Sequence, residues 1–308
     1  MPSPAGPGNG FAMLQQIRHM KNPILPSTGL PKIFHLARLA GLPALFVLAM
    51  AGSAPGQVSE AEAEALRKAQ DPLANVKALM TDNTIGYESE TGQALYNFQL
   101  QPVYSIQTKL GFNVVMRGIL PLVGTPTGGG PVGLPDQYGG GGYGTAWGLS
   151  DIMAQAFFVP DTKNDIKFGI GPQVSLRTRT CEATAGPGWG VGFGACVFGF
   201  SGPLSYGGIV SQHWGQDGYT RSSLQPIVFY NMDLFGGSYV GYSNSIVSDW
   251  SAPRNEGWLV PVGLTAGKTF LLEGGYMVDA NAGAYYLAVG PGGQPDWQLK
   301  VGLSFFFP

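Results

Sequence analysis

The chain has 308 residues, of which 12% are charged and 44% hydrophobic, with 48 glycines and a formal net charge of −2. So few charges cannot coat a soluble domain of this length, and the near-neutral balance lacks the basic footprint of a nucleic-acid partner. Three histidines and two cysteines leave little material for a metal centre, and no motif calls for a cofactor.

Residues 1–51 contain Arg18, Lys21, Lys32 and Arg38 and no acidic residue, and they end in an apolar run from Leu39 to Ala51. The run is shorter than the roughly 20 apolar residues of a spanning helix, is interrupted by Pro43, and closes on the A-x-A pattern Ala49-Met50-Ala51. This is the pattern of a secretory signal peptide with a long n-region, expected to be cut after Ala51. Ala54 is the weaker alternative, because Pro55 would come directly after the cut, and an organellar transit peptide is the rival reading. The length ahead of Lys21 points to a start at Met13 or Met20. Signal removal leaves 13 basic residues (17 minus 4) against 19 acidic ones, a net charge of −6.

Residues 52–72 form a periplasmic leader with one convincing helix, Val58 to Gln70. Ser59 and Glu62 make a capping box, Arg67 and Lys68 sit in the last turn, and Asp71-Pro72 stops it. The segment is either a fraying leader or a plug lying in the mouth of a barrel.

From Leu73 the chain breaks into alternating segments of about ten residues, the length of a tilted membrane-spanning strand. Tyr96, Phe98 and Leu100 oppose Asn97, Gln99 and Gln101. Phe112, Val114 and Met116 oppose Asn113 and Arg117. Ile152, Ala154, Ala156 and Phe158 oppose Asp151 and Gln155, while Phe168, Ile170, Val174 and Leu176 oppose Lys167, Gln173, Ser175 and Arg177. The segment 189–197 alternates large apolar residues with glycine, and Tyr206, Val210 and Trp214 alternate with Ser205, Ser211 and His213. Further segments begin near Ser222, Gly237, Trp258 and Gly274. In the last, Trp297, Leu299, Val301, Leu303, Phe305 and Phe307 oppose Gln298, Lys300, Gly302 and Ser304. With a poorly alternating first strand near Val76 to Ile85, the count is about 12. The expected fold is all-β, a transmembrane antiparallel up-and-down β-barrel over 73–308, with lipid outside and a polar lumen. Short and long connections tend to alternate along the chain as periplasmic turns and outer loops do, with the short join near Gly215 to Gly218 as the exception. The longest loop, Gly128 to Tyr143, is either mobile or folds back into the lumen.

Several apparent motifs have plainer explanations. Gly263 to Thr269 is one residue short of a phosphate loop, and the glycines from Gly188 to Gly194 repeat every two residues rather than as G-x-G-x-x-G. Ser211 and His213 share a strand face and, with Asn231 on the next strand, are the one set able to support barrel-lipase chemistry. A polar pair in a polar lumen needs no such explanation. Cys181 and Cys196 are expected to be free, since a hairpin folding about Glu182 to Pro187 leaves them several pairs apart.

The pore-lining candidates are Asn97, Gln99, Gln101, Arg117, Asp151, Gln155, Lys167, Gln173, Arg177, Gln225, Asp279 and Lys300. Charges of both signs mean that no strong ion selectivity can be read from this lining. The expected partners are membrane lipids, a small-molecule solute, and the barrel-assembly machinery through the C-terminal strand.

A run of short motifs in fixed order carries a resemblance: Asp71-Pro72-Leu73-Ala74-Asn75, Leu100-Gln101-Pro102-Val103, Arg117-Gly118-Ile119-Leu120-Pro121, Gly148-Leu149-Ser150-Asp151-Ile152, Gly169-Ile170-Gly171-Pro172, Gly188-Trp189-Gly190-Val191-Gly192, Leu224-Gln225-Pro226, Trp258-Leu259-Val260-Pro261-Val262 and Pro295-Asp296-Trp297. From Asp71 to Pro308 the chain resembles the outer-membrane transporter family named for the meta-pathway of phenol degradation. The resemblance implies a Gram-negative outer-membrane barrel admitting small molecules, aromatic or apolar ones among them, and no catalytic residues. The chain departs from that pattern in the expanded loop Thr125 to Thr145, in Cys181 and Cys196, and in Arg177-Thr178-Arg179-Thr180. A closed structural or adhesive barrel acting through its outer loops is the alternative.

Overall fold

The computed structural model describes residues 59–87, 94–127, 144–162, 165–232, 237–253, 256–290 and 295–308. The signal-peptide and cleavage-site readings, and the loop Gly128 to Tyr143, lie outside these residues.

One helix, α1 (Glu60–Gln70), precedes fourteen strand segments: β1 (Lys77–Tyr87), β2 (Ala94–Gln107), β3 (Phe112–Thr127), β4 (Gly144–Leu149), β5 (Ile152–Pro160), β6 (Ile166–Leu176), β7 (Gly190–Ser201), β8 (Leu204–Trp214), β9 (Thr220–Met232), β10 (Ser238–Ser243), β11 (Ile246–Asp249), β12 (Trp258–Leu271), β13 (Met277–Val289) and β14 (Trp297–Phe307). Each segment pairs antiparallel with its neighbours, and β1 closes the sheet on β14 from Lys77↔Phe307 to Tyr87↔Trp297. β4 and β5 take the two halves of β3, and β10 and β11 together bridge β9 and β12. The described residues therefore form a closed transmembrane barrel of twelve staves (14 minus 2).

Alternation decides which side chain meets lipid. Leu299, Val301, Leu303, Phe305 and Phe307 face out, while Ser304 and Phe306 are buried inside. The first strand alternates poorly because Thr81 and Asn83 lie on its outward face, across from Leu100 and Phe98. Their polar atoms are satisfied in the wall: Thr81 Oγ1 bonds the backbone of Leu303, and Asn83 donates to Thr81 Oγ1 at 3.2 Å.

One rim carries the tight connections, such as 108–111 and 202–203, together with the start of β1 and the end of β14. The opposite rim carries the long ones, including 177–189. In outer-membrane barrels the short turns face the periplasm and the longer loops face out; the two rims are called here the turn rim and the loop rim.

Helix α1 forms because Ser59 and Glu62 satisfy each other's backbone: Ser59 N donates to Glu62 Oε2 at 2.8 Å, and Glu62 N to Ser59 Oγ at 3.3 Å. It packs against β12 and β13, with Ala65 and Leu66 buried. Leu66 and Leu73 join an internal cluster with Val115, Phe157, Phe198 and Phe229, and Ala65 joins a smaller one with Ala78, Met277 and Phe306. The hydrophobic core of this barrel is thus inside the half nearer the turn rim, built on the segment around α1.

Candidate functional site

The inward side chains gather in the lumen, which is layered from the turn rim upward. The lowest layer tethers the end of α1. Gln70 accepts from Ser205 Oγ at 2.5 Å and donates to Asn231 Oδ1 at 2.8 Å, while Asn231 donates to Ser205 Oγ at 2.8 Å. Asp71, whose Oδ1 accepts from Leu73 N at 2.8 Å, pairs with Lys167 Nζ at 2.6 Å. The C-terminal turn of the helix is thus bonded to three separate strands, β6, β8 and β9.

Above the plug lies a cavity of about 170 Å³, bounded by Gln70 and Asp71 below. Its lining mixes apolar side chains, among them Val103, Val115, Phe157, Ile209 and Phe229, with polar ones, among them Gln101, Arg117, Asp82, Lys300, Asp279 and Asn281. Arg117 donates through Nε to Gln101 Oε1 at 3.1 Å, and Gln101 donates in turn to Gln99 at 2.7 Å. Lys300 pairs with Asp82 at 3.0 Å. Asp279 accepts from Tyr239 at 2.9 Å, Thr269 at 2.8 Å and Asn281 at 3.1 Å. Opposite charges thus stand around one space, each held by a neighbour, which offers a passing molecule hydrogen bonds without a strong net field.

The next layer is a one-way chain of hydrogen bonds. Gln155 donates to Gln173 at 3.1 Å, the Gln173 amide nitrogen lies 3.4 Å from His213 Nδ1, and His213 Nε2 lies 2.8 Å from Ser175 Oγ, which donates to the Gly188 carbonyl at 2.8 Å. Since the Ser175 hydroxyl proton is spent on Gly188, His213 must donate from Nε2 and accept at Nδ1, the neutral tautomer. Glycine makes room for this ring: a Cβ on Gly190 would stand 2.7 Å from His213 Nε2, and one on Gly192 2.8 Å from Nδ1. The partner of His213 is therefore Ser175 on β6, not Ser211, which bonds Ser223 at 2.7 Å. Asn231 sits at the far end of β9, bonded to the plug. Ser211, His213 and Asn231 are not assembled into a triad, because the β8–β9 register places Ser211 opposite Ser223.

At the outer mouth, Asp151 is buried and ties down the β6–β7 loop. Its carboxylate accepts from the backbone of Thr178 (3.1 Å), Arg179 (3.2 Å), Gly186 (3.1 Å) and Gly188 (2.7 Å), and from the Arg179 guanidinium at 3.0 Å. Burial alone would raise its pKa; the hydrogen bonds from Gly188 and Arg179, with the charge of Arg179, outweigh that and hold it below the ordinary aspartate value.

Of the residues proposed from sequence to line the pore, Gln101, Arg117, Gln225, Asp279 and Lys300 meet around the central cavity, and Gln99 supports Gln101. Gln155 and Gln173 belong to the histidine layer, and Lys167 to the plug tether. Asn97 lies on β2 above Gln99, with its carbonyl oxygen buried and unbonded. Arg177 stands beyond the end of β6 and pairs with Glu182 at 3.3 Å, so it belongs with Asp151 to the mouth rather than the bore. The ladder ends before it because Thr178 turns to bond Ser150 and Asp151. Sequence reasoning missed Asp82, Tyr239, Gln70 and Asp71. Asp82 could have been found, being an acidic residue flanked by outward-facing Thr81 and Asn83; the plug contacts have no periodic signature.

No protein-family model matches this sequence, and no curated protein matches it. Among solved structures the chain is similar to a COG4313 outer membrane channel from Pseudomonas putida F1, with TM-score 0.52 and 11% identity, over 77% of this chain and 98% of that one. It is also similar to CdiB from Acinetobacter baumannii, with TM-score 0.32 and 11% identity, over 76% of this chain and 60% of that one. The first likeness bears on the fold, which is that of a membrane barrel closed by its terminal strands; the second is too distant to argue from.

Proposed function

We propose that the protein is a passive outer-membrane channel of a Gram-negative bacterium, made as a precursor cut after Ala51 and admitting small molecules, aromatic or apolar ones among them. The observation that carries this reading is the cavity above the helix, whose lining is both apolar and polar. An apolar cavity of about 150 Å³ accepts a ring the size of benzene, and here a space of about 170 Å³ adds donors and acceptors to apolar walls. A small ring bearing a hydroxyl could bury its face against Val103, Phe157 and Ile209 while its polar atom bonds Gln101, Asn281 or Lys300. The motif order of the meta-pathway family and the barrel likeness support the same reading. Assembly would proceed through the C-terminal strand, whose outward Phe305 and Phe307 flank the closing seam. The solute would meet the plug last, and α1 must shift for it to leave.

The filled histidine layer favours a second reading, a closed barrel with a structural or adhesive role. Liposome swelling separates the two. Purified signal-free protein should admit small phenols faster than sugars or amino acids of matched size; no uptake by a demonstrably folded barrel would support the closed reading.

A further inference from the structure

The outer wall carries a feature that the lumen does not explain. Across β1, β2, β3, β5 and β6, a groove of about 620 Å³ is cut into the lipid-facing surface. Its floor is made by Gly118, Ala154 and Ala156, which are small where most outward positions of this barrel are large. The register places Gly118 beside Ala154, and Ala154 beside Val174. Proline walls it on both sides. Pro102 lies opposite Gly118, its ring 3.2 Å from where a Gly118 Cβ would be, and Pro172 lies opposite Ala156. Having no N–H, neither proline can donate to the ladder, and at both places the regular pairing lapses: β2–β3 between Leu100↔Leu120 and Val103↔Arg117, and β5–β6 between Gln155↔Gln173 and Phe158↔Ile170.

The groove has a polar end. Lys77 lines it at the turn rim, directly between outward Tyr104 and Phe307. Among the described residues Lys77 makes no ion pair. An exposed cation between two aromatic rings at the membrane boundary is placed for a lipid headgroup, with the lysine stem lying along apolar surface. From β1 to β6 the groove crosses four inter-strand steps of about 4.8 Å, roughly 19 Å in all, long enough to seat an acyl chain.

We propose that this groove is a specific phospholipid site, with the phosphate on Lys77 beside Tyr104 and one acyl chain lying over Gly118, Ala154 and Ala156 between the two prolines. The occupant is an anionic glycerophospholipid of the periplasmic leaflet. The cation stands at the rim where the short turns and both ends of the barrel sheet lie, and a lipid anchored there can reach the groove with its chain. This inference is independent of what passes through the lumen.

Native mass spectrometry of the full protein in mild detergent, titrated with phosphatidylglycerol, tests it. The wild-type protein should hold one molecule more tightly than the rest. Ala156→Trp, which fills the floor, and Lys77→Glu, which reverses the charge, should each lower retention of that molecule by at least about tenfold, the scale of 1.4 kcal/mol. Lys77→Arg should retain it, and Lys109→Glu, in the neighbouring turn outside the groove, should have no effect. Heat-modifiable migration reports whether each variant is folded, and should Ala156→Trp fail to assemble, Ala154→Leu is the second floor variant. Unchanged retention in folded Lys77→Glu and floor variants overturns the proposal, as does equal loss in Lys109→Glu or a preference for lipid A over phosphatidylglycerol.

Discussion

Asp151 illustrates what a single buried carboxylate does in this barrel. Its bonds to four backbone amides and one guanidinium hold the loop 177–189 over the mouth, and those bonds require it to be ionised. Because its folded pKa is depressed, the stabilisation is present above the unfolded value near 3.8 and is lost only as pH falls through the lower folded one. The loop should therefore be unchanged between neutral pH and pH 5 and loosen under stronger acid, as hydrogen exchange at Gly186 and Gly188 would report. Asp151→Asn removes the charge at neutral pH and leaves buried Arg179 with exposed Glu182, 3.4 Å away, as its remaining ionic partner. Since proteolysis tracks the population of the opened loop, trypsin should cut after Arg179 at least about tenfold faster than in the wild type; equal rates would mean that the clamp holds nothing. The two cysteines give a second residue-scale expectation. Cys181 is partly exposed, and its hydrogen bond with Thr184 lowers its pKa, whereas Cys196 is buried. Alkylation of the folded protein without reductant should add one label, at Cys181, and a second only after unfolding. A mass showing no label even after unfolding would reveal a disulfide.

The elements differ in how much of them could be read from sequence, and the difference is physical. β14 was legible because every outward position from Trp297 to Phe307 is apolar, and β6 because its inward residues are polar. β1 was not, since Thr81 and Asn83 bring polarity to its lipid face and satisfy it locally. The capping box announced α1, but nothing in its sequence said where it would dock: Leu66 clusters with Phe229, Gln70 bonds Asn231 and Asp71 pairs with Lys167, all far along the chain. That docking makes the helix testable as a unit. Leu66 is 5% exposed, and a buried Leu→Ala change costs about 2–5 kcal/mol. Leu66→Ala should loosen the plug while leaving the barrel folded. The expected result is more frequent opening in single-channel records with an unchanged heat-modifiable shift, and records identical to wild type would deny the helix a role in closure.

At the scale of the whole molecule, alternation and connection lengths were enough for a twelve-stave barrel, because lipid on one side and a polar lumen on the other impose period two on every strand. The site was legible only as a face. Which inward residues meet depends on stave order, register and the plug, and none of these is written in local pattern. Thus Arg117, Asp279 and Lys300 gather at one cavity, Lys167 serves the tether, and Arg177 leaves the bore altogether. With α1 below and a cavity of mixed polar and apolar lining above it, the proposed channel would be narrow and its conductance set by the helix.

Planar-bilayer conductance of the signal-free protein beside a variant lacking residues 59–72 tests this most directly. The account predicts small, intermittent openings in the intact protein and a larger, steadier conductance once the plug is gone. Equal conductance in the two, or a sealed barrel in both, would contradict it.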